Sequence, residues 1–215
     1  MTKKVFWDDP YQTELTSTVT NVDGNTIQLA ETIFYAESGG QESDQGTIGG
    51  LDVLRAEKVG TAIIYTLSDT PPFVLGDSVT ICVNWTRRYA LMKLHFAAEL
   101  VLELFSQKFP HIEKIGAHIG QDKSRIDFVW PTSINSLLDE MTAAAQRLVD
   151  ADLPIQSAFS DEAQQRRYWR VEGFAQVPCG GTHLKRTSEV GRIRLKRKNI
   201  GKGKERVEIT LVPSQ

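Results

Sequence analysis

The chain has 215 residues, 40% of them apolar, and a formal net charge of −2. That length can bury one large core or two small ones. No run of 18 apolar residues occurs, so no transmembrane helix is expected. The start, Met1-Thr2-Lys3-Lys4-Val5-Phe6-Trp7-Asp8-Asp9, lacks the apolar stretch of a signal peptide. Two cysteines, Cys82 and Cys179, make no disulfide framework. A reducing, cytoplasmic setting is therefore expected, with no membrane partner.

The small net charge conceals a segregation. Residues 1–85 carry four Lys+Arg against twelve Asp+Glu, and the remainder carries 21 against 15. Such asymmetry suggests two domains, 1–85 and 86–215, the second facing a polyanion; mutual attraction between the halves is the simpler alternative.

The first region reads as short strands. Glu14 to Asn21 is rich in threonine and valine, Asp23-Gly24 is a hairpin signal, and Thr26 to Leu29 returns. Gly49-Gly50 marks a turn before Leu51 to Val59. Ala62 to Leu67 and Ser78 to Val83 follow, and Cys82 in the last run reads as core. Many short strands with regular turns predict a small β-barrel or sandwich. Between them, residues 34–46 hold Gly39, Gly40 and Gly46 among small polar residues, a loop with backbone N–H groups free to meet a ligand or cover a site.

From Thr86 the pattern becomes helical. Thr86 is placed to cap a helix from Arg87 to about Lys108, in which Leu91, Leu94, Ala98, Val101, Leu102 and Phe105 recur on one side. His95 and Glu99 lie four apart on that helix, so they share a face. Such a pair can grip one metal ion from one helix, or be a histidine with a carboxylate beside it.

A strand pair, Ile112 to Ile119 and Ser124 to Val129, is predicted next. A second helix follows at Ile134 to Asp150, capped by Thr132 or Ser133. Then come a strand at Ile155 to Phe159, a short helix capped by Ser160, a strand at Tyr168 to Val171, and a closing hairpin of Arg192 to Lys198 and Glu205 to Val212. This order predicts an α+β second domain, an antiparallel sheet with helices on one face. Ten cations fall between Lys185 and Arg206, against Glu189 and Glu205 alone. A basic hairpin of this kind contacts phosphates or is a solvated face.

The stretch with the most chemistry is Cys179-Gly180-Gly181-Thr182-His183. A thiol and an imidazole four residues apart on a glycine turn can point at one place. Both are ligands suited to zinc. Glycine is expected there for a positive φ or for close approach to a ligand.

Four segments, in order, carry a resemblance. Ser38-Gly39-Gly40-Gln41 with Asp44 and Gly46, Arg88 to His95, Cys179 to His183, and Gly191-Arg192-Ile193 resemble the editing domain of alanyl-tRNA synthetases and the free-standing alanyl-tRNA editing proteins of the AlaX type. The likeness covers nearly the whole chain, and a free-standing form is expected. It implies one zinc ion per chain, no nucleotide cofactor, and hydrolysis of serine or glycine wrongly esterified to the tRNA for alanine. The acceptor end of the mischarged tRNA is the implied partner.

The family's zinc motifs, H-x-x-x-H and C-x-x-x-H, fall on His95, Cys179 and His183, but the second helix position holds Glu99. A carboxylate oxygen also binds zinc, so Glu99 is a fourth ligand or a catalytic group beside three. The resemblance further implies that Gln41 reaches the substrate, and Gly116-Ala117-His118 is a candidate pocket wall. Lys196, Arg197, Lys198, Lys202 and Lys204 are the expected tRNA contacts. Glu99 and the basic hairpin also suit two alternatives: an RNA-binding relative that has lost its metal, and a hydrolase of another aminoacyl ester.

Overall fold

The computed structural model describes residues 1–201 and 203–212. The chain forms two compact units, Met1–Tyr89 and a second from Ala90 onward. Among the described residues it is a mixed α and β structure with two α-helices and mostly antiparallel strands.

In the first unit, β1 (Lys3–Lys4) and β4 (Glu31–Thr32) form a short parallel pair, with a 3-10 turn at Val5–Trp7. The other strands are β2 (Glu14–Asp23), β3 (Thr26–Leu29), β5 (Gly46–Ile48), β6 (Leu51–Val59), β7 (Ala62–Leu67) and β8 (Ser78–Val83). They hydrogen-bond in the order β2-β3-β7-β6-β5-β8, and β8 pairs back to β2, closing a ring. Alternation explains the ring's core. Ile27 and Leu29, Ile63, Tyr65 and Leu67, and Val79, Ile81 and Val83 are buried every second residue. The same period sets Cys82 aside: it lies between Ile81 and Val83, on the other face of β8 and half-buried, not in the core. Gly46 has a steric reason, since a Cβ there would sit 2.0 Å from the Cys82 carbonyl oxygen.

Helix α1 spans Trp85–Lys108. Its start differs from the expected Thr86 cap. Asn84 accepts the Arg87 N–H on its side-chain oxygen at 3.1 Å, so the helix begins two residues earlier.

The second unit holds two sheets where one was expected. The first contains β9 (Glu113–Ile119), β10 (Ser124–Val129), β14 (Arg192–Asn199) and β15 (Lys204–Val212), in the order β14-β15-β10-β9. The second contains β11 (Gln156–Asp161), β12 (Arg166–Val171) and β13 (Ala175–Pro178) in sequence order. The short helix expected after Ser160 is instead the hairpin joining β11 to β12; Ser160 lies within β11 and its hydroxyl bonds the Arg166 carbonyl. A polar run of Gln and Arg has little apolar face to hold a helix, whereas pairing satisfies the backbone outright.

Helix α1 packs between both sheets. Phe96 meets Trp169 of β12 edge to face at 5.2 Å, and Phe105 meets Phe128 of β10 at 5.2 Å. Helix α2 (Asn135–Asp150) buries Leu138, Met141, Ala145 and Val149 beside β14. At that edge, Gln146 accepts the Ile193 N–H at 3.0 Å. Thr187 ties the end of α2 to a 3-10 turn at Thr187–Val190, donating to the Leu148 carbonyl and accepting the Leu153 N–H.

Candidate metal centre

Three of the four expected ligands converge. His95, Cys179 and His183 present ligand atoms that all lie within 4.8 Å of one another. The elements explain the meeting. His95 is on the face of α1 turned toward the three-stranded sheet, beside Phe96 on Trp169. Strand β13 ends at Pro178, and the Cys179 N–H bonds the Arg167 carbonyl of β12 at 2.9 Å, which fixes where the turn begins. The two imidazoles stack at 5.1 Å between centroids and 25° between planes, and both are buried.

Each imidazole has its rear nitrogen engaged. The Nδ1 of His95 lies 3.2 Å from the Thr182 carbonyl, which fixes the proton there and directs the Nε2 lone pair forward. That Nε2 faces the Cys179 sulfur at 3.5 Å and Glu99 Oε1 at 3.4 Å. The Nδ1 of His183 pairs with the Ser157 hydroxyl at 3.0 Å, while its Nε2 is buried with no hydrogen-bond partner. An unpaired buried nitrogen carries a desolvation penalty. Two imidazole nitrogens and a sulfur around one point, each ring oriented from behind, are the donor set and the outer support of a zinc site. These residues therefore fit the metal that the motif implies.

Glu99 lies next to this cluster and outside it. Its Oε2 accepts a hydrogen bond from the Trp169 indole N–H at 2.8 Å, leaving Oε1 toward His95. With only protein charges present, burial resists ionisation of Glu99, but hydrogen bonds and charge from His95, with help from Trp169, hold its pKa at about 2. Burial likewise disfavours the His95 cation, and the Cys179 sulfur and Glu99 outweigh it, raising the pKa well above 6.5. His183 moves the other way, to about 3, through burial and then the positive charge of His95.

Of the two reasons expected for glycine here, the positive φ does not apply. Gly180 has no positive φ, and a Cβ there would meet nothing within 4 Å. It leaves open space beside Cys179. Thr182 O, Ser157 and Trp169 carry no signal of their own in the sequence; only the fold reveals them as supports of the cluster.

The glycine-rich loop is built as a turn. Ser38 and Gln41 exchange backbone hydrogen bonds at 3.2 and 3.0 Å around Gly39 and Gly40, both with positive φ, 62° and 87°. Gln41 is buried, 1% exposed. Asp44 and Arg88, both within the motif segments, form a fully buried ion pair. Arg88 also donates to the Pro10 and Ile33 carbonyls, and Asp44 accepts the Tyr35 N–H. Their role is to fix the loop to the start of α1.

Of the expected RNA contacts, Lys196, Lys198 and Lys204 are exposed. Arg197 faces the other side of β14 and is held by Glu205, Nε to Oε2 at 2.6 Å. Lys202 lies outside the described residues. His118 is exposed on β9 opposite Arg125, and Gly116 pairs with Asp127. No helix among the described residues is long and apolar enough to cross a membrane.

Comparison with known proteins places the chain. Residues 170–208 match the family model for the threonyl and alanyl tRNA synthetase second additional domain. The chain is 32% identical over 215 residues to the alanyl-tRNA editing protein AlaX-M of Pyrococcus horikoshii, covering 98% of both chains. It is 31% identical to an alanine–tRNA ligase of Methanococcus maripaludis and 31% to that of Pyrobaculum aerophilum, over 96% and 91% of this chain. It spans about a quarter of those ligases, 26% and 25%. With four ordered motifs and end-to-end similarity to an editing protein, the chain belongs to the AlaX family of alanyl-tRNA editing proteins.

Proposed function

We propose that the protein is a metal-dependent deacylase, acting in trans, that hydrolyses the ester joining serine or glycine to the tRNA for alanine. The observation that carries this reading is the His95–Cys179–His183 cluster with its unpartnered His183 Nε2. Zinc held by these three side chains would supply a Lewis acid for the ester and its water. Three protein ligands leave a position for substrate, which distinguishes a catalytic centre from a structural one.

Glu99 supplies the base. Its carboxylate is fixed at Oε2 by Trp169 and presents Oε1 to the cluster. From there it accepts a proton from the attacking water and returns it to the departing ribose oxygen. The Thr182 carbonyl keeps the His95 proton on Nδ1, and the Ser157 hydroxyl orients the His183 ring from behind. The closed ring of the first unit reads as a small barrel that carries the glycine loop. Gln41 has a part in the reaction by family resemblance, and a fall in kcat for Gln41→Ala tests it.

The deciding experiment incubates purified protein with Ser-tRNA(Ala), Gly-tRNA(Ala) and Ala-tRNA(Ala). Release of serine or glycine with alanine retained is expected. Retention of all three by protein carrying zinc would refute the reading.

A further inference from the structure

Strand β14 is an edge strand, and its alternation places Arg192, Arg194, Lys196 and Lys198 exposed on one face. Ile193, Leu195 and Arg197 point the other way, toward the core side. Residues on one face of a strand repeat at about 6.6–6.8 Å. The four cations therefore form a row of about 20 Å, with no ion pair to any of them among the described residues.

The neighbouring strands do not cancel this charge. Register places Thr210, Glu208 and Arg206 beside Arg194, Lys196 and Lys198. On β15 and β10 this face carries two carboxylates, Glu208 and Asp127. Glu208 is engaged by Lys123 at 2.8 Å, and Asp127 by Arg206 at 2.6 Å and by Arg125. These strand acids are engaged by other cations, although Glu208 also feels Lys198. On the flanking helix α2, Asp150 shares a recess with Arg192, and Asp139 shares one with Arg192 and Arg194, neither in an ion pair with them among the described residues.

We infer that the β14 row, Arg192, Arg194, Lys196 and Lys198, is the track for the phosphate backbone of the RNA, in place of the hairpin as a whole. The inference rests on aminoacyl-tRNA as substrate and adds where its backbone lies. A line of evenly spaced, unpaired cations suits a polyanion of regular charge, and it reads no sequence. Arg197, though central in the same basic run, takes no part because it is committed to Glu205 on the opposite face.

The test uses an uncharged tRNA transcript, so it does not depend on any hydrolytic activity. Binding is measured against salt for the wild type, for the triple variant Arg194→Ala/Lys196→Ala/Lys198→Ala, and for Arg197→Ala. Removing one cation that touches a phosphate lowers the slope of log K against log salt by about one. The triple variant should lose about three units of slope and bind about tenfold or more weakly at 0.1 M salt. Arg197→Ala should keep the wild-type slope. An unchanged slope in the triple variant, or an equal loss in Arg197→Ala, overturns the assignment. So does binding of the row to phosphatidylserine vesicles with no loss of RNA affinity. Absence of hydrolysis with a normal slope loss would strike the deacylase reading and leave the track standing.

Discussion

The indole N–H of Trp169 donates to Glu99 Oε2 at 2.8 Å, so a carboxylate on α1 is aimed by a residue buried in β12. Removing that donor while keeping an aromatic ring isolates the effect. Trp169→Phe should keep the fold and the packing on Phe96, yet lower metal affinity or turnover by about 10–100-fold, as outer partners of metal sites do. Chelator competition and kcat report the two separately. Unchanged values for both would show that Glu99 is held by something else.

Glu99 itself separates two chemistries. As a base beside three ligands, Glu99→Gln should retain about one metal per chain and lose about 10²–10⁴-fold in kcat. Glu99→His completes the H-x-x-x-H pattern. Four protein ligands close a site, so this variant should also keep its metal. Loss of metal in Glu99→Gln would make Glu99 a ligand instead.

Cys179→Ala removes the one sulfur of the cluster. Metal content by elemental analysis and activity should fall together. In cobalt-substituted protein the thiolate-to-metal absorption should vanish. Activity that survives without metal would exclude a metal-centred mechanism.

In the first unit, Arg88→Ala leaves the Asp44 carboxylate buried without its cation. Breaking a buried pair from one side costs about 3–5 kcal/mol. Urea unfolding should show a loss of this size. Replacing both residues by apolar ones of similar volume should recover much of it, because no lone charge then remains.

Acid should act through Asp127. Burial alone would raise its pKa, but Arg206 and Arg125 outweigh burial and hold it below 3.8 in the folded protein. Between that lowered value and 3.8 the unfolded chain binds more protons, so stability rises with pH. The contribution is complete above pH 3.8 and is lost as pH falls through the folded-state value. Thermal melts from pH 5 to pH 2.5 should show this, and Asp127→Asn should flatten part of the dependence.

Runs rich in β-formers between turn residues marked β3, β6, β7, β8 and β10 with their ends, because glycine- and proline-bearing turns punctuate strands locally. The ordered motifs likewise named His95, Cys179 and His183, since only certain side chains bind zinc and their order survives folding. Tertiary structure alone decided the rest. Strands near β11 and β12 were legible, but their direct pairing across a polar turn, and the separate sheet they form with β13, depend on contacts no local pattern encodes. That Arg197 is held by Glu205 while Lys198 stands exposed depends on which partner strand lies alongside. That Glu99 is held by Trp169, 70 residues away, follows from packing of Phe96 on the same indole, a contact the chain makes only once both elements are in place.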